Sequence, residues 1–186
     1  MKTTYTMNIA GLDRDLPLCK INDKLYIGAF IMFGDVEITK ACATELLKIA
    51  PEFDIMITAE SKGLPLLYEM ARQTNASNYI LARKGPKLYM KNILVTEVNS
   101  ITTEKKQILC IGEDEVNAIK GKRVLIVDDV ISTGESVAAL EELVKSAGGT
   151  VAGKMAVLAE GDAINRDDII CLGHLPLFDE NGNPLA

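Results

Sequence analysis

Tryptophan is absent from the 186 residues, and histidine occurs once, as His174. The four cysteines, Cys19, Cys42, Cys110 and Cys171, are scattered and form no C-x-x-C pair. That scarcity argues against a zinc site, and the length argues against a disulfide framework. Four reduced, mostly buried thiols in a cytoplasmic protein are the expectation. The N-terminal stretch MKTTYTMNIAGLDRDLPL lacks the apolar run of a secretory signal. No segment approaches the roughly 20 apolar residues that span a bilayer, so no membrane association is expected. Basic residues are outnumbered, 20 Lys and Arg against 26 Asp and Glu, for a net charge of −6. No basic face for nucleic acid is implied. A Walker P-loop is excluded, since no G-x-x-x-x-G-K-[ST] occurs. Internal repeats and low-complexity segments are also missing.

What is present alternates. Lys24–Phe33 is apolar and aromatic, a strand or an extended lead-in. Glu37–Ala50 carries apolar residues at helical spacing, and Pro51 stops it. Phe53–Glu60 reads as a buried strand, Leu64–Asn75 as a helix with Pro65 in its first turn, and Asn78–Lys84 as a further strand. Arg123–Asp129 is the strongest strand. Glu135–Gly149 is the strongest helix, closed by Gly148 and Gly149, and Val151–Glu160 is a last core strand. Doubly buried strands separated by helices predict an α/β fold with a central, mainly parallel twisted sheet flanked by helices. The length predicts one domain over residues 1–186. Leu177–Ala186 is a polar tail with an Asn-Gly turn.

The run VLIVDDVISTGES, Val124–Ser136, sets two carboxylates at the end of a greasy strand and small hydroxyl residues just beyond. In such sheets ligands sit beyond the carboxyl ends of strands. The turn leads into a helix N-terminus, whose free N–H groups and dipole favour an anion. Ser132, Thr133 and Ser136 add hydroxyls, and Gly134 lets the backbone approach closely. The turn therefore suits a phosphate monoester. Asp128 and Asp129 would repel that phosphate, so they suit neutral hydroxyls such as a ribose diol, or a nearby metal. A strand with two solvated acids and a Ser/Thr cap explains each residue singly but not the whole run.

This segment resembles the thirteen-residue ribose-phosphate signature of the type I phosphoribosyltransferases. The resemblance implies that fold, with a core over 36–161, a small hood built from the N-terminal segment 1–35 and the C-terminal segment 162–186, and a flexible hairpin loop. It also implies an Mg2+-dependent transfer of the 5-phosphoribosyl group from phosphoribosyl pyrophosphate to a purine, most closely adenine, with xanthine or another purine as the alternative. Asp128 and Asp129 would hold the ribose hydroxyls and meet the Mg2+ mostly through ligand or water. Ser132, Thr133, Gly134, Glu135 and Ser136 would frame the 5′-phosphate.

TAESKGLP, Thr58–Pro65, resembles the pyrophosphate loop of the family, implying roles for Glu60, Ser61, Lys62 and Gly63 and a cis Ser61–Lys62 peptide. RKGPKL, with Arg83, Lys84 and Lys87, is similar to the Arg-Lys-x-x-Lys-Leu stretch of adenine phosphoribosyltransferases; Lys62 and Arg83 would stabilise the leaving pyrophosphate. Basic residues of that region can serve a partner's site, so a homodimer is implied. Glu97–Ile111 reads as a hairpin that closes over the site, with Glu104 as the residue nearest to the acid that faces the base in the adenine enzymes. Phe30, Ile31 or Phe33 in the hood, and Glu160 at the end of the last core strand, are the expected base contacts. Purine-operon repressors contain a very similar domain and sense phosphoribosyl pyrophosphate without chemistry. They carry an N-terminal winged helix, whereas the residues before the first core strand here are few and not basic.

Overall fold

The pattern of short apolar runs and amphipathic stretches sets the order of elements. A computed structural model describes residues 2–98 and 107–185. Three strands open the chain, β1 (Thr4–Ile9), β2 (Leu12–Asn22) and β3 (Leu25–Gly28). Helix α1 (Val36–Ile49), β4 (Ile55–Ala59), α2 (Leu64–Gln73) and β5 (Ile80–Ala82) follow. A hairpin, β6 (Leu94–Val98) and β7 (Gln107–Ile111), leads through α3 (Glu113–Ile119) to β8 (Arg123–Ile131). The chain ends with α4 (Glu135–Ser146), β9 (Thr150–Glu160), a 3₁₀ turn (Gly161–Asn165), β10 (Ile170–Leu175) and β11 (Leu177–Phe178). Among the described residues no helix is long and apolar enough to cross a membrane.

The central sheet has the order β10-β9-β8-β4-β5, each pairing parallel, so Val151–Glu160 is not its last strand: β10, in the segment expected to lie outside the core, pairs along its edge. The inner strands of the sheet are buried on both faces, which is why β8 reads as an unbroken aliphatic run. Val124 and Ile126 pack with Leu140, Leu143 and Val144 of α4 on one face. Leu125 and Val127 pack with Leu46 of α1 and Leu67 and Met70 of α2 on the other. Asp35 caps α1, its carboxylate accepting from Ile38 N–H at 3.0 Å. From β4 the chain moves outward to β5, but from β8 it moves the other way to β9. The winding therefore reverses between β4 and β8, and the carboxyl ends of these two strands border the crevice where such sheets bind ligands. β5 is shorter than its sequence suggests: Arg83 leaves the sheet and exchanges backbone hydrogen bonds of 2.8 Å with Cys110 of β7.

A second, antiparallel sheet, β1-β2-β3-β11, forms the hood from both ends of the chain. Of the expected Lys24–Phe33 segment only Leu25–Gly28 is a strand. Ile9 and Leu16 sink into the same core as Leu158 and Leu175. The hood is also tied to α1 by Arg14, which donates to Asp35 at 2.7 and 3.2 Å and to Glu37 at 2.7 Å. In the tail, Gly182 adopts φ +80° in the turn after Asn181, and its N–H donates to the Asp179 carbonyl at 3.1 Å. That turn presses Phe178, fully buried, against Tyr5 at 4.9 Å between ring centroids. Phe178→Ala is expected to cost about 3–5 kcal/mol, lowering the melting temperature by roughly 10 °C in a thermal scan. A shift of less than about 2 °C contradicts this packing.

Candidate active site

Two loops meet at the reversal point. Beyond β4, residues Glu60–Gly63 turn into α2; beyond β8, residues Ser132–Gly134 turn into α4. The first loop lies directly on the end of β8. A Cβ at Gly63 would stand 2.9 Å from Asp128 Oδ1, 3.2 Å from Asp128 Cα and 3.2 Å from Asp129 N. Only glycine permits that approach. The expected cis bond is absent: Ser61–Lys62 is trans, as is every peptide among the described residues. The loop turns instead through Gly63 in the helical region, at φ −69° and ψ −11°. Ser61 Oγ then accepts from Gly63 N–H at 3.4 Å and donates to Asp128 Oδ1 at 3.3 Å.

Asp128 and Asp129 are both buried, 7% and 3% exposed. Asp128 Oδ1 also accepts from Asp129 N–H at 2.9 Å. Burial, followed by the adjacent Asp129 charge, pushes the Asp128 carboxyl up to about 7. Lys62 Nζ lies 3.1 Å from Asp129 Oδ2 and donates to the Phe30 carbonyl at 3.1 Å. It faces Oδ2 off the hydrogen-bonding direction, and that oxygen accepts no hydrogen bond. Glu160, half-buried at the end of β9, is raised by burial, and the Lys62 charge opposes the shift. One ammonium thus faces two strand-end carboxylates. Among the described residues no cluster of three or more His, Cys, Asp or Glu could hold a metal. The aspartate pair offers hard oxygens, one of which, Asp129 Oδ2, accepts no hydrogen bond and meets only the Lys62 charge. It fits a divalent cation whose remaining ligands come from a bound phosphate, hydroxyls and water.

The phosphate-type turn closes on a small concavity of about 50 Å³ lined by Asp128 and the residues from Val130 to Val137. Gly134 caps α4 at φ +80°, a left-handed conformation natural to glycine. On the other flank, Glu60 gathers the basic loop: it accepts from Arg83 Nη1 at 3.2 Å and from Lys84 N–H at 3.1 Å, with Lys87 Nζ 3.8 Å away. Those contacts hold the Glu60 carboxyl below its usual range, the Lys84 N–H being the largest cause. Lys84 thus joins through its backbone, not its ammonium. In the hood, the Phe30 side chain is buried in the core, and only its carbonyl meets Lys62. Phe33 and Ile31 are more than half exposed. Glu104 lies outside the described residues. Arg166, in the stretch Asn165–Asp168, carries no motif and is missed by sequence reasoning, yet its guanidinium lies against Gly134.

The raised Asp128 gives a sign to stability. Its carboxyl is neutral in the folded protein well above the ordinary aspartate range. The favourable proton binding is fully present below about pH 4 and is lost as pH rises toward 7. Asp128→Asn is therefore expected to stabilise the ligand-free protein by about 1–3 kcal/mol at pH 8 and by little at pH 5. Melting curves at the two pH values check this; an equal shift at both contradicts it.

Comparison with known proteins agrees with this geometry. The family model of the phosphoribosyl transferase domain matches residues 36–175. The chain is 29% identical over 157 residues to an adenine phosphoribosyltransferase of Kosmotoga olearia, covering 79% of this chain and 84% of that one. It is 29% identical over 124 residues to a xanthine phosphoribosyltransferase of Exiguobacterium, covering 66% of this chain and 63% of the relative, slightly less than two thirds of its length. The crystal structure of adenine phosphoribosyltransferase from Thermoanaerobacter pseudethanolicus superposes with a TM-score of 0.63 at 25% identity, covering 77% of this chain and 84% of that one. Strand order, the acidic pair at the reversal point and the matched residues converge on one conclusion: the chain belongs to the phosphoribosyl transferase domain family.

Proposed function

We propose that this protein transfers the 5-phosphoribosyl group from phosphoribosyl pyrophosphate to a purine, namely adenine, whose exocyclic amine suits a carboxylate acceptor. The observation that carries the reading is the clamping of Asp128 and Asp129 against the Ser61–Gly63 loop at the reversal point. The reaction forms a bond from a purine nitrogen to ribose C1, breaks the bond from C1 to the pyrophosphate oxygen, and passes the proton of that nitrogen to water or to the departing pyrophosphate. Binding and charge placement supply the catalysis. Asp128 and Asp129 accept hydrogen bonds from the ribose hydroxyls. Their negative charge also favours the cationic sugar that develops as the C1–O bond lengthens. Backbone N–H groups of Ser132–Ser136 take the 5′-phosphate. Lys62 and Arg83, with Lys84 N–H and Lys87, neutralise the departing pyrophosphate. Mg2+, when bound with the substrate, supplies further neutralisation of the diphosphate oxygens.

The choice of adenine rests on Glu160, half-buried beside Lys62, and on the adenine enzymes among the relatives. Phe33 and the buried Phe30, which line a concavity of about 340 Å³, are the hood residues this reading assigns to the base. A homodimer belongs to this reading. An apolar groove of about 720 Å³ between α1 and α2, lined by Val36, Leu64, Pro65, Tyr68 and Tyr79, suits a second copy. The reading places the protein in the cytoplasm, where its four free thiols stay reduced.

Pyrophosphate release is measured with Mg2+, phosphoribosyl pyrophosphate and adenine, xanthine, hypoxanthine or guanine offered separately. Adenine is expected to give turnover, with Lys62→Ala lowering kcat/KM by about 100-fold or more. Binding of phosphoribosyl pyrophosphate without release for any base contradicts transfer and points to a sensor. In sedimentation, Tyr68→Glu is expected to convert a dimer to a monomer; a wild-type monomer overturns the dimer.

A further inference from the structure

The turn proposed for the 5′-phosphate contains no cation. Residues 132–136 are Ser, Thr, Gly, Glu and Ser, so a phosphate dianion there would meet one carboxylate and no positive side chain. The basic residues of the Arg83–Lys87 loop are gathered by Glu60 on the other flank. The cation that stands at the turn is Arg166, which follows the 3₁₀ turn after β9. A Cβ at Gly134 would overlap Arg166 Nη1 and lie 3.4 Å from its Cζ. The guanidinium therefore packs on the backbone of the turn itself, at the first residue of the α4 cap.

It is also held in one orientation. Nε donates to Asp168 Oδ1 at 2.9 Å and Nη2 to Asp168 Oδ2 at 2.8 Å. Asp168 accepts in addition from Lys154 Nζ at 2.8 Å, and Lys154 bridges to Glu141 of α4 at 2.6 Å. This chain of alternating charges fixes one edge of the guanidinium to the protein. Among the described residues Nη1, on the other edge, has no acceptor. A planar fork with one side committed and the other free is the arrangement that binds a phosphate oxygen with little further ordering.

We infer that Arg166 is a binding residue for the 5′-phosphate, supplying through Nη1 the positive charge that the Ser132–Ser136 turn lacks. The inference rests on the phosphoribosyl reading of the site. It gives Gly134 a second reason to be glycine: the position needs a left-handed backbone and also leaves room for the guanidinium. It also assigns Asp168 as a positioning residue, since Asp168 sets the plane of the fork without meeting the ligand.

The test is calorimetric binding of ribose 5-phosphate and of inorganic pyrophosphate, each separately, to the full chain. For Arg166→Gln the dissociation constant for ribose 5-phosphate is expected to rise about tenfold or more, with that for pyrophosphate unchanged within about twofold. Arg166→Lys recovers part of the loss, because charge returns without the fork. Asp168→Asn keeps the arginine but frees its orientation, and gives the same selective loss at smaller size. Melting temperatures of all three variants accompany the titrations. Unchanged affinity for ribose 5-phosphate, or equal weakening for both ligands, overturns the inference. Binding of neither ligand by the wild-type protein overturns the phosphoribosyl reading, and that failure is visible before any variant is made.

Discussion

The structure depends on one contact: the backbone of the Ser61–Gly63 loop resting on the end of β8 without a side chain between them. That contact places a hydroxyl, an ammonium and a free helix start beside two buried carboxylates. Two like charges at adjacent positions are costly under burial, and burial first, then the Asp129 charge, raises the Asp128 carboxyl. The fold accepts it because the parallel sheet on both sides is apolar and fully packed. A buried acid pair at a sheet end is what a site looks like when its missing partners belong to the ligand.

The charge layout extends this logic. In a chain of net charge −6, cations converge on the reversal point from separate parts of the sequence. Lys62 arrives on the loop after β4, Arg83 and Lys87 on the loop after β5, and Arg166 on the turn after β9. Each is steadied by an acid: Asp129 for Lys62, Glu60 for Arg83, Asp168 for Arg166. These pairs are partly exposed and contribute little to stability. Their consequence is orientation, because a cation already in place loses less entropy when an anion binds.

Legibility in the sequence followed the range of the interactions. The β8 strand, its acid pair and its turn are contiguous, so Val124–Ser136 declared both a strand and an anion site. Four of the five central strands were legible for the same reason, through apolar runs of buried strand length, whereas the edge strand β10, half-exposed and interrupted by Gly173 and His174, was not. Strands β1 and β2 of the hood were not read: Leu12–Leu16 runs Leu-Asp-Arg-Asp-Leu, so the alternating exposure that the folded strand shows is not written as an alternation of apolar and charged residues. Helix α3 escaped because it spans seven residues, and its one local sign is Glu115 accepting from Gly112 N–H at 2.9 Å. The Ser61–Lys62 peptide takes the trans form that a non-proline bond ordinarily prefers; the cis expectation came from the resemblance and not from a local pattern. Arg166 is the clearest case: its neighbours in the chain are ordinary, and its relation to Gly134 exists only after folding.

The most direct measurement of the central claim is the titration of the Asp128 carboxyl carbon by 13C NMR, assigned through the signal lost in Asp128→Asn. In the free protein it should titrate near neutrality, far above an ordinary aspartate. On saturation with ribose 5-phosphate it should move to lower pH, because hydroxyl donors favour the carboxylate. An Asp128 that titrates as an ordinary surface acid, and does not respond to the sugar phosphate, would contradict the account.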